Sequence, residues 1–165
     1  MKNLNEYIEK ANADMLKLGY EMNPGNTFRV NTRALTRWGQ CRHNPDGTHI
    51  IEVSYRLLED GVSDEALMNT LMHELIHTIK GCNNHGVNFK RVAAQINRAY
   101  GLNIKTCTSA AEKGVAEVQR KVVIKHRFVC EDCGQIVERQ RESDFTRRYQ
   151  RYTCGCCGGR FKQLF

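Results

Sequence analysis

His73-Glu74-Leu75-Ile76-His77 reads H-E-x-x-H and lies within a run of helical spacing. Residues four apart share one face of an α-helix, so the two imidazoles can grip a single metal ion. Glu74 then projects beside the open side of that ion, where a carboxylate can handle the proton of a water molecule. This is the arrangement of a zinc hydrolase. Around it, Ala66, Leu67, Thr70, Leu71, Glu74 and Leu75 recur at helical spacing. Ser63 suits an N-cap, Asp64 and Glu65 suit the first turn, and Gly81 is the natural stop after Lys80. The pattern predicts a mostly buried helix whose last two turns carry the motif. Polar groups buried without partners cost roughly 1–3 kcal/mol each, and a shared metal removes that difficulty.

A catalytic zinc usually takes three protein ligands. His85 follows the helix stop by a few residues, and Gly86 beside it gives the backbone freedom to aim the ring. An acidic third ligand would have to come from the next helix, but residues 88–100 contain no Asp or Glu. His85 is therefore the expected third ligand. His49, in a β-prone segment, is the fallback.

Outward from this centre, residues 3–19 form an amphipathic pattern that ends at Gly19. Residues 27–30 and 49–54 read as strands separated by the turn Asn44-Pro45-Asp46-Gly47. A small antiparallel sheet is the expectation. Tyr55 to Asp60 suggests a helical turn. A third helix is expected over Asn88–Tyr100 with Gly101 as its cap, and Phe89, Val92, Ala93 and Ile96 on one face. Leu102 to Val118 lacks periodicity, and Thr108 to Gly114 reads as a linker or surface excursion.

The chain of 165 residues allows one domain of ordinary size, or a core domain with a small appendage. Its hydrophobic content of 41% and charged content of 26% are those of a globular protein. No run suits a membrane span, and no signal peptide is evident, so a cytoplasmic (or nuclear) location and no membrane partner are expected. Of the net charge of +7, almost all lies in the tail. Residues 120–165 hold 11 of the 25 Lys/Arg but 5 of the 18 Asp/Glu. Such a tail suits a polyanionic partner, usually nucleic acid.

The tail also concentrates cysteine. Cys130-Glu131-Asp132-Cys133-Gly134 and Cys154-Gly155-Cys156-Cys157-Gly158 both read C-x-x-C-G, the pattern of a zinc ribbon. Cys130, Cys133, Cys154 and Cys157 are the expected ligands, with Cys156 as the competing donor. Flanking segments, including Val122–Ile124 and Tyr149–Thr153, are β-prone. Arg127, Arg147, Arg148, Arg151, Arg160 and Lys162 alternate with aromatic residues. The basic groups can meet phosphates and exposed aromatics can stack on bases. The other reading is a solvated ribbon surface with the aromatics packed inside.

Taken together, several features resemble the SprT-like family, whose best-known relatives are the Spartan proteases that degrade proteins crosslinked to DNA. They are the N-terminal helix, Thr36-Arg37-Trp38-Gly39-Gln40-Cys41, Ile51-Glu52-Val53-Ser54, the His73–His77 helix, His85-Gly86 with Phe89, and the C-terminal ribbon. The likeness extends over nearly the whole chain, although the loop from His77 to His85 is shorter than Spartan's and no recruitment tail follows the ribbon. The resemblance implies an α+β fold: a zincin-like mini-domain of three helices and a small antiparallel sheet over residues 1–119, then a β zinc ribbon over residues 120–165. It implies a DNA-dependent zinc metalloendopeptidase with His73, His77 and His85 as ligands and Glu74 as acid/base. Two zinc ions, one catalytic and one structural, are expected, as are a protein substrate, single-stranded or junction DNA, and a monomer. Trp38 and Cys41 are candidate substrate contacts on an edge strand, with core packing the competing role for each. The rival function is a non-enzymatic, zinc-stabilised DNA-binding protein whose H-E-x-x-H site is structural.

Overall fold

A computed structural model describes residues 1–118 and 122–165. The chain divides into two compact units, Met1–Val118 and Gln119–Phe165. The junction expected between residues 119 and 120 lies outside the described residues.

The first unit is built on a helix, α2 (Asp64–Ile76), that is buried on most of its surface. Ser63 caps it by accepting from the backbone N–H of Ala66 at 3.1 Å. Leu67, Leu71, Met72, Leu75 and Ile76 are fully buried. Such an apolar circumference requires partners on several sides. The helix α1 (Leu4–Lys17) supplies Ala11 and Met15, and α3 (Val87–Tyr100) supplies Phe89, Val92 and Ile96. The expected continuation of α2 to Lys80 does not occur, because the chain tightens after Ile76. Thr78 donates its hydroxyl to the Leu75 carbonyl at 2.8 Å, and the backbone N–H groups of Thr78 and Ile79 bond three residues back.

The remaining side of the core is a sheet of β1 (Thr27–Asn31), β2 (Gly39–His43) and β3 (His49–Ser54), ordered β1-β3-β2. The sheet is mixed rather than antiparallel throughout. β2 and β3 form the expected hairpin, but β1 runs parallel to β3. The chain reverses between β1 and β2, and β3 returns into the space between them. Two adjacent reversals leave the outer strand parallel to the central one. β2 therefore lies at an edge, packed against α2.

Residues 102–118 depart most from expectation. The stretch resembling a linker is a strap bound to the core. Ile104, Lys113 and Val115 are buried. Asn97 on α3 clasps Ile104 through both its donor and its acceptor, at 3.2 and 2.8 Å. Arg56, in the 3-10 turn Tyr55–Leu58, donates to the carbonyls of Leu35 and Ala116. The strap is held mainly by backbone polar groups, which leave no periodic trace in sequence.

The second unit is a sheet of β4 (His126–Cys130), β5 (Ile136–Arg139) and β6 (Phe161–Gln163), ordered β5-β4-β6 and antiparallel. Tyr149–Thr153 is not a strand. Ser143 and Thr146 form a capping box that opens a short helix, α4 (Asp144–Arg147), and the 3-10 turn Tyr149–Arg151 follows. Val122–Ile124 adds no strand. Phe128 and Phe161 are buried, and Phe145 and Tyr149 pack against them with ring centroids 4.9–5.5 Å apart. Most of the ribbon's aromatics thus form its core and do not present a base-stacking surface.

Candidate metal centres and the adjoining cleft

Successive turns of α2 bring His73 and His77 to the same side, and the loop after the helix returns His85 to meet them. The three Nε2 atoms lie 3.3 Å (His73–His77), 3.2 Å (His77–His85) and 2.9 Å (His73–His85) apart. Donors about 2.0–2.1 Å from one tetrahedral zinc ion lie about 3.3 Å from each other, so the three fit a single ion. His73 Nδ1 bonds to the Lys105 carbonyl at 2.9 Å, and His77 Nδ1 bonds to the Cys82 carbonyl at 2.8 Å. A carbonyl only accepts, so each Nδ1 carries the proton and each Nε2 keeps its lone pair toward the centre. Burial, and then the neighbouring rings of His77 and His85, push His73 down to about 4; burial also lowers His77. Neutral imidazoles are the form a metal needs. Phe89, fully buried on α3, contacts all three rings at centroid distances of 4.8–4.9 Å.

Glu74 is 7% exposed and sits beneath β2. Burial pushes its carboxyl up to about 7, opposed by the backbone N–H of Cys41 and by the charges of Arg37 and Lys113. The approach of β2 depends on Gly39. A Cβ at that position would lie 2.4 Å from Glu74 Oε1 and 2.7 Å from its Cγ. Glycine is therefore needed because a carboxylate occupies the space a side chain would fill.

Trp38 immediately precedes β2. Its Nε1 donates to the Thr108 carbonyl at 3.3 Å, and the Arg56 guanidinium lies over its ring at 5.6 Å. It packs on the core and also lines the cleft beside His73 and Glu74. Cys41 is half-buried, and burial followed by the Glu74 charge pushes its thiol up to about 12. Among the described residues Cys41 does not join the donor group of His73, His77 and His85. His49 is likewise engaged elsewhere, with Nδ1 3.0 Å from Asn26 Oδ1.

In the second unit the Sγ atoms of Cys130, Cys133, Cys154 and Cys157 all lie within 4.8 Å of one another. The closest pairs, Cys130–Cys157 and Cys133–Cys154, are 3.5 and 3.6 Å apart. Four thiolates about 2.3 Å from one tetrahedral zinc would be about 3.8 Å apart. The two C-x-x-C-G turns repeat one geometry. Gly134 and Gly158 take φ of +72° and +78°, and their N–H groups return to the carbonyls of Cys130 and Cys154. Backbone N–H groups of Cys156 and Cys157 point at the Cys154 sulfur and lower its thiol to about 7. Cys156 itself is exposed and lies outside the four-sulfur group.

The six tail cations differ in their partners. Arg127 pairs with Glu138, Arg148 pairs with Asp144 at 3.4 Å, and Arg160 donates to the Gln150 carbonyl at 3.0 Å. Arg147, Arg151 and Lys162 are exposed, with no ion-pair partner among the described residues.

Four contributors to the first centre were missed in sequence: the carbonyls of Lys105 and Cys82, the steric demand at Gly39 and the buried Lys113. Backbone carbonyls carry no residue signature. Trp38-Gly39 next to a strand was the one available signal for the close approach.

Comparison with known proteins matches residues 4–108 to the SprT-like family. The match ends before the ribbon, so the likeness is narrower than the nearly whole-chain resemblance read from the motifs. The chain is also similar to "Protein SprT-like" of Enterococcus faecalis (strain ATCC 700802 / V583), at 31% identity over 101 residues. That alignment covers 58% of this chain and 56% of the relative, so the chain spans little more than half the length of the protein it matches. Among the described residues no helix is long and apolar enough to cross a membrane.

Three substitutions test these geometries. Gly39→Ala should displace Glu74 and lower any hydrolytic rate by about 10²-fold or more while metal content stays at the wild-type level. Metal analysis should show Cys157→Ser losing one zinc equivalent and Cys156→Ser losing none.

Proposed function

The chain belongs to the SprT-like family, and from that premise we propose that it is a zinc-dependent metalloendopeptidase acting on DNA-associated proteins, including DNA–protein crosslinks. The observation that carries the proposal is the convergence of three Nε2 atoms beside a buried carboxylate on the same helix. His73, His77 and His85 would hold the catalytic ion. Bound there, zinc supplies Lewis acidity for amide hydrolysis.

The chain's own groups have separate tasks. The Lys105 and Cys82 carbonyls keep His73 and His77 in the tautomer that binds metal. Glu74 removes the proton from the attacking water and returns it to the departing amine nitrogen. Its burial raises its basicity, and the Cys41 N–H fixes its orientation. β2, at the sheet edge beside this carboxylate, offers an unpaired strand to an extended peptide. A structural site would call for a fourth protein donor, whereas the cluster among the described residues contains three.

The ribbon's role in this proposal is to bind DNA. Its support is the exposed Arg147, Arg151 and Lys162, which no carboxylate offsets among the described residues. The four-cysteine cluster would hold the second, structural zinc ion.

Glu74→Gln should lower cleavage of a DNA-bound test protein by about 10²–10⁴-fold with zinc content and thermal unfolding retained; full activity would remove Glu74 from the mechanism. Replacing Arg147, Arg151 and Lys162 together by Gln should reduce the slope of log K against log salt by about 2–3 for DNA. An unchanged slope would dismiss these contacts.

A further inference from the structure

The cleft beside the histidine site has a volume of about 330 Å³ and is bordered by His73, Glu74, Trp38, Arg37, Lys105 and Lys113 among others. Of its charged groups, Lys113 is the anomaly. It is 5% exposed, yet its ammonium meets only neutral acceptors: the Thr70 hydroxyl at 2.7 Å and the Ala66 carbonyl at 3.2 Å. An ammonium has three protons, and these contacts use two.

The nearby carboxylates are committed elsewhere. Glu112 binds Lys105 Nζ at 2.6 Å and the Ser109 N–H at 2.8 Å. Glu65 accepts from Asn69 at 3.3 Å, and Glu74 is engaged by the Cys41 N–H. Arg37 faces Glu52 at 3.8 Å. Thus Arg37 and Lys105 each face an acid, whereas Lys113 makes no ion pair among the described residues. Burying a cation without a direct ion pair is unfavourable, and the attraction of Glu112, Glu65 and Glu74 offsets only part of that cost, so the site gains most from a ligand that brings an anion. Apart from Glu74, the cleft lining contains no carboxylate to repel one.

We infer that Lys113 forms a carboxylate-recognising subsite in this cleft, selecting substrates that place a carboxylate near the bond to be cut. Ala66, Thr70 and Glu74 succeed one another along one face of α2. The Thr70 turn that holds Lys113 lies about 6 Å along the helix from Glu74. An extended peptide advances about 3.3–3.6 Å per residue. The recognised group therefore belongs to a residue about one or two positions from the scissile bond. Either a side-chain carboxylate or the free C-terminus of the substrate has the required chemistry. The subsite's catalytic meaning rests on the peptidase reading, but its capacity to bind does not.

The test uses the zinc-loaded full chain with single-stranded DNA present, and two peptide sets. The first set differs only by Glu or Gln scanned on either side of the cleaved bond, with amidated C-termini. The second lacks internal acids and differs only by a free or amidated C-terminus. At one position, or at the free terminus, kcat/KM should favour the carboxylate by about tenfold or more. The winning set identifies its source. Lys113→Met should bring that ratio near one, and Lys113→Arg should retain a preference. In parallel, the zinc-loaded Glu74→Gln protein, titrated with every carboxylate peptide and its neutral twin, should bind at least one carboxylate peptide about tenfold more tightly than its twin. Ratios near one for wild type in both sets, or a preference that survives in a folded, zinc-loaded Lys113→Met protein, overturn the subsite. If no peptide is cleaved, the peptidase reading fails, and the binding ratio alone decides: equal binding overturns the subsite and tighter carboxylate binding upholds it. The wild-type and Glu74→Gln measurements keep the test decisive should Lys113→Met fail to fold.

Discussion

The first unit depends on one constraint: α2 must be both the centre of an apolar core and the carrier of a polar site. Beyond its first turn, only Asn69 and His73 escape full burial, and His77 follows at the cap. With Glu65, these residues repeat every four positions and form a partly exposed stripe along the helix. The other sides are closed by α1, α3, β2 and β3. Close packing of this kind leaves little freedom for a helix to shift. The same burial that stabilises the fold therefore fixes the spacing of the metal donors.

A rigid helix alone does not complete the site. His73 and His77 are oriented by carbonyls from two other segments, the strap and the loop after the helix. Phe89 reaches all three imidazoles from α3, so one apolar ring supports donors drawn from a helix and a loop. Glu74 is deeply buried, which raises its affinity for a proton; a cation bound beside it would act in the opposite direction. Gly39 makes the arrangement sterically feasible, since any side chain on that strand position would displace the carboxylate.

The ribbon solves a different problem with less material. Its buried apolar cluster comprises Phe128, Cys130, Cys154 and Phe161, and two of these four are thiol donors. So small a core needs a metal to hold it. This also explains the aromatics between its basic residues. Phe145 and Tyr149 are spent on the core, while Arg147, Arg151 and Lys162 remain outside. Alternating charge and aromaticity in sequence served packing more than stacking.

Local rules made much of the chain legible. The four-residue spacing of His73 and His77, the glycine beside His85, the Ser63 cap and the repeated C-x-x-C-G turns are short-range features, and short-range geometry follows from neighbouring residues. The mixed sheet, the early end of α2 and the strap depended on contacts between segments far apart in sequence. Nothing within Leu102–Val118 announces that the Lys105 carbonyl meets His73 or that Lys113 lies under Thr70. The residue types that could donate to a metal were thus set by sequence alone. Their tautomers, the place of Gly39 against Glu74 and the unpaired charge in the cleft were decided by tertiary structure, because carbonyl direction, steric approach and desolvation exist only once distant segments are packed together.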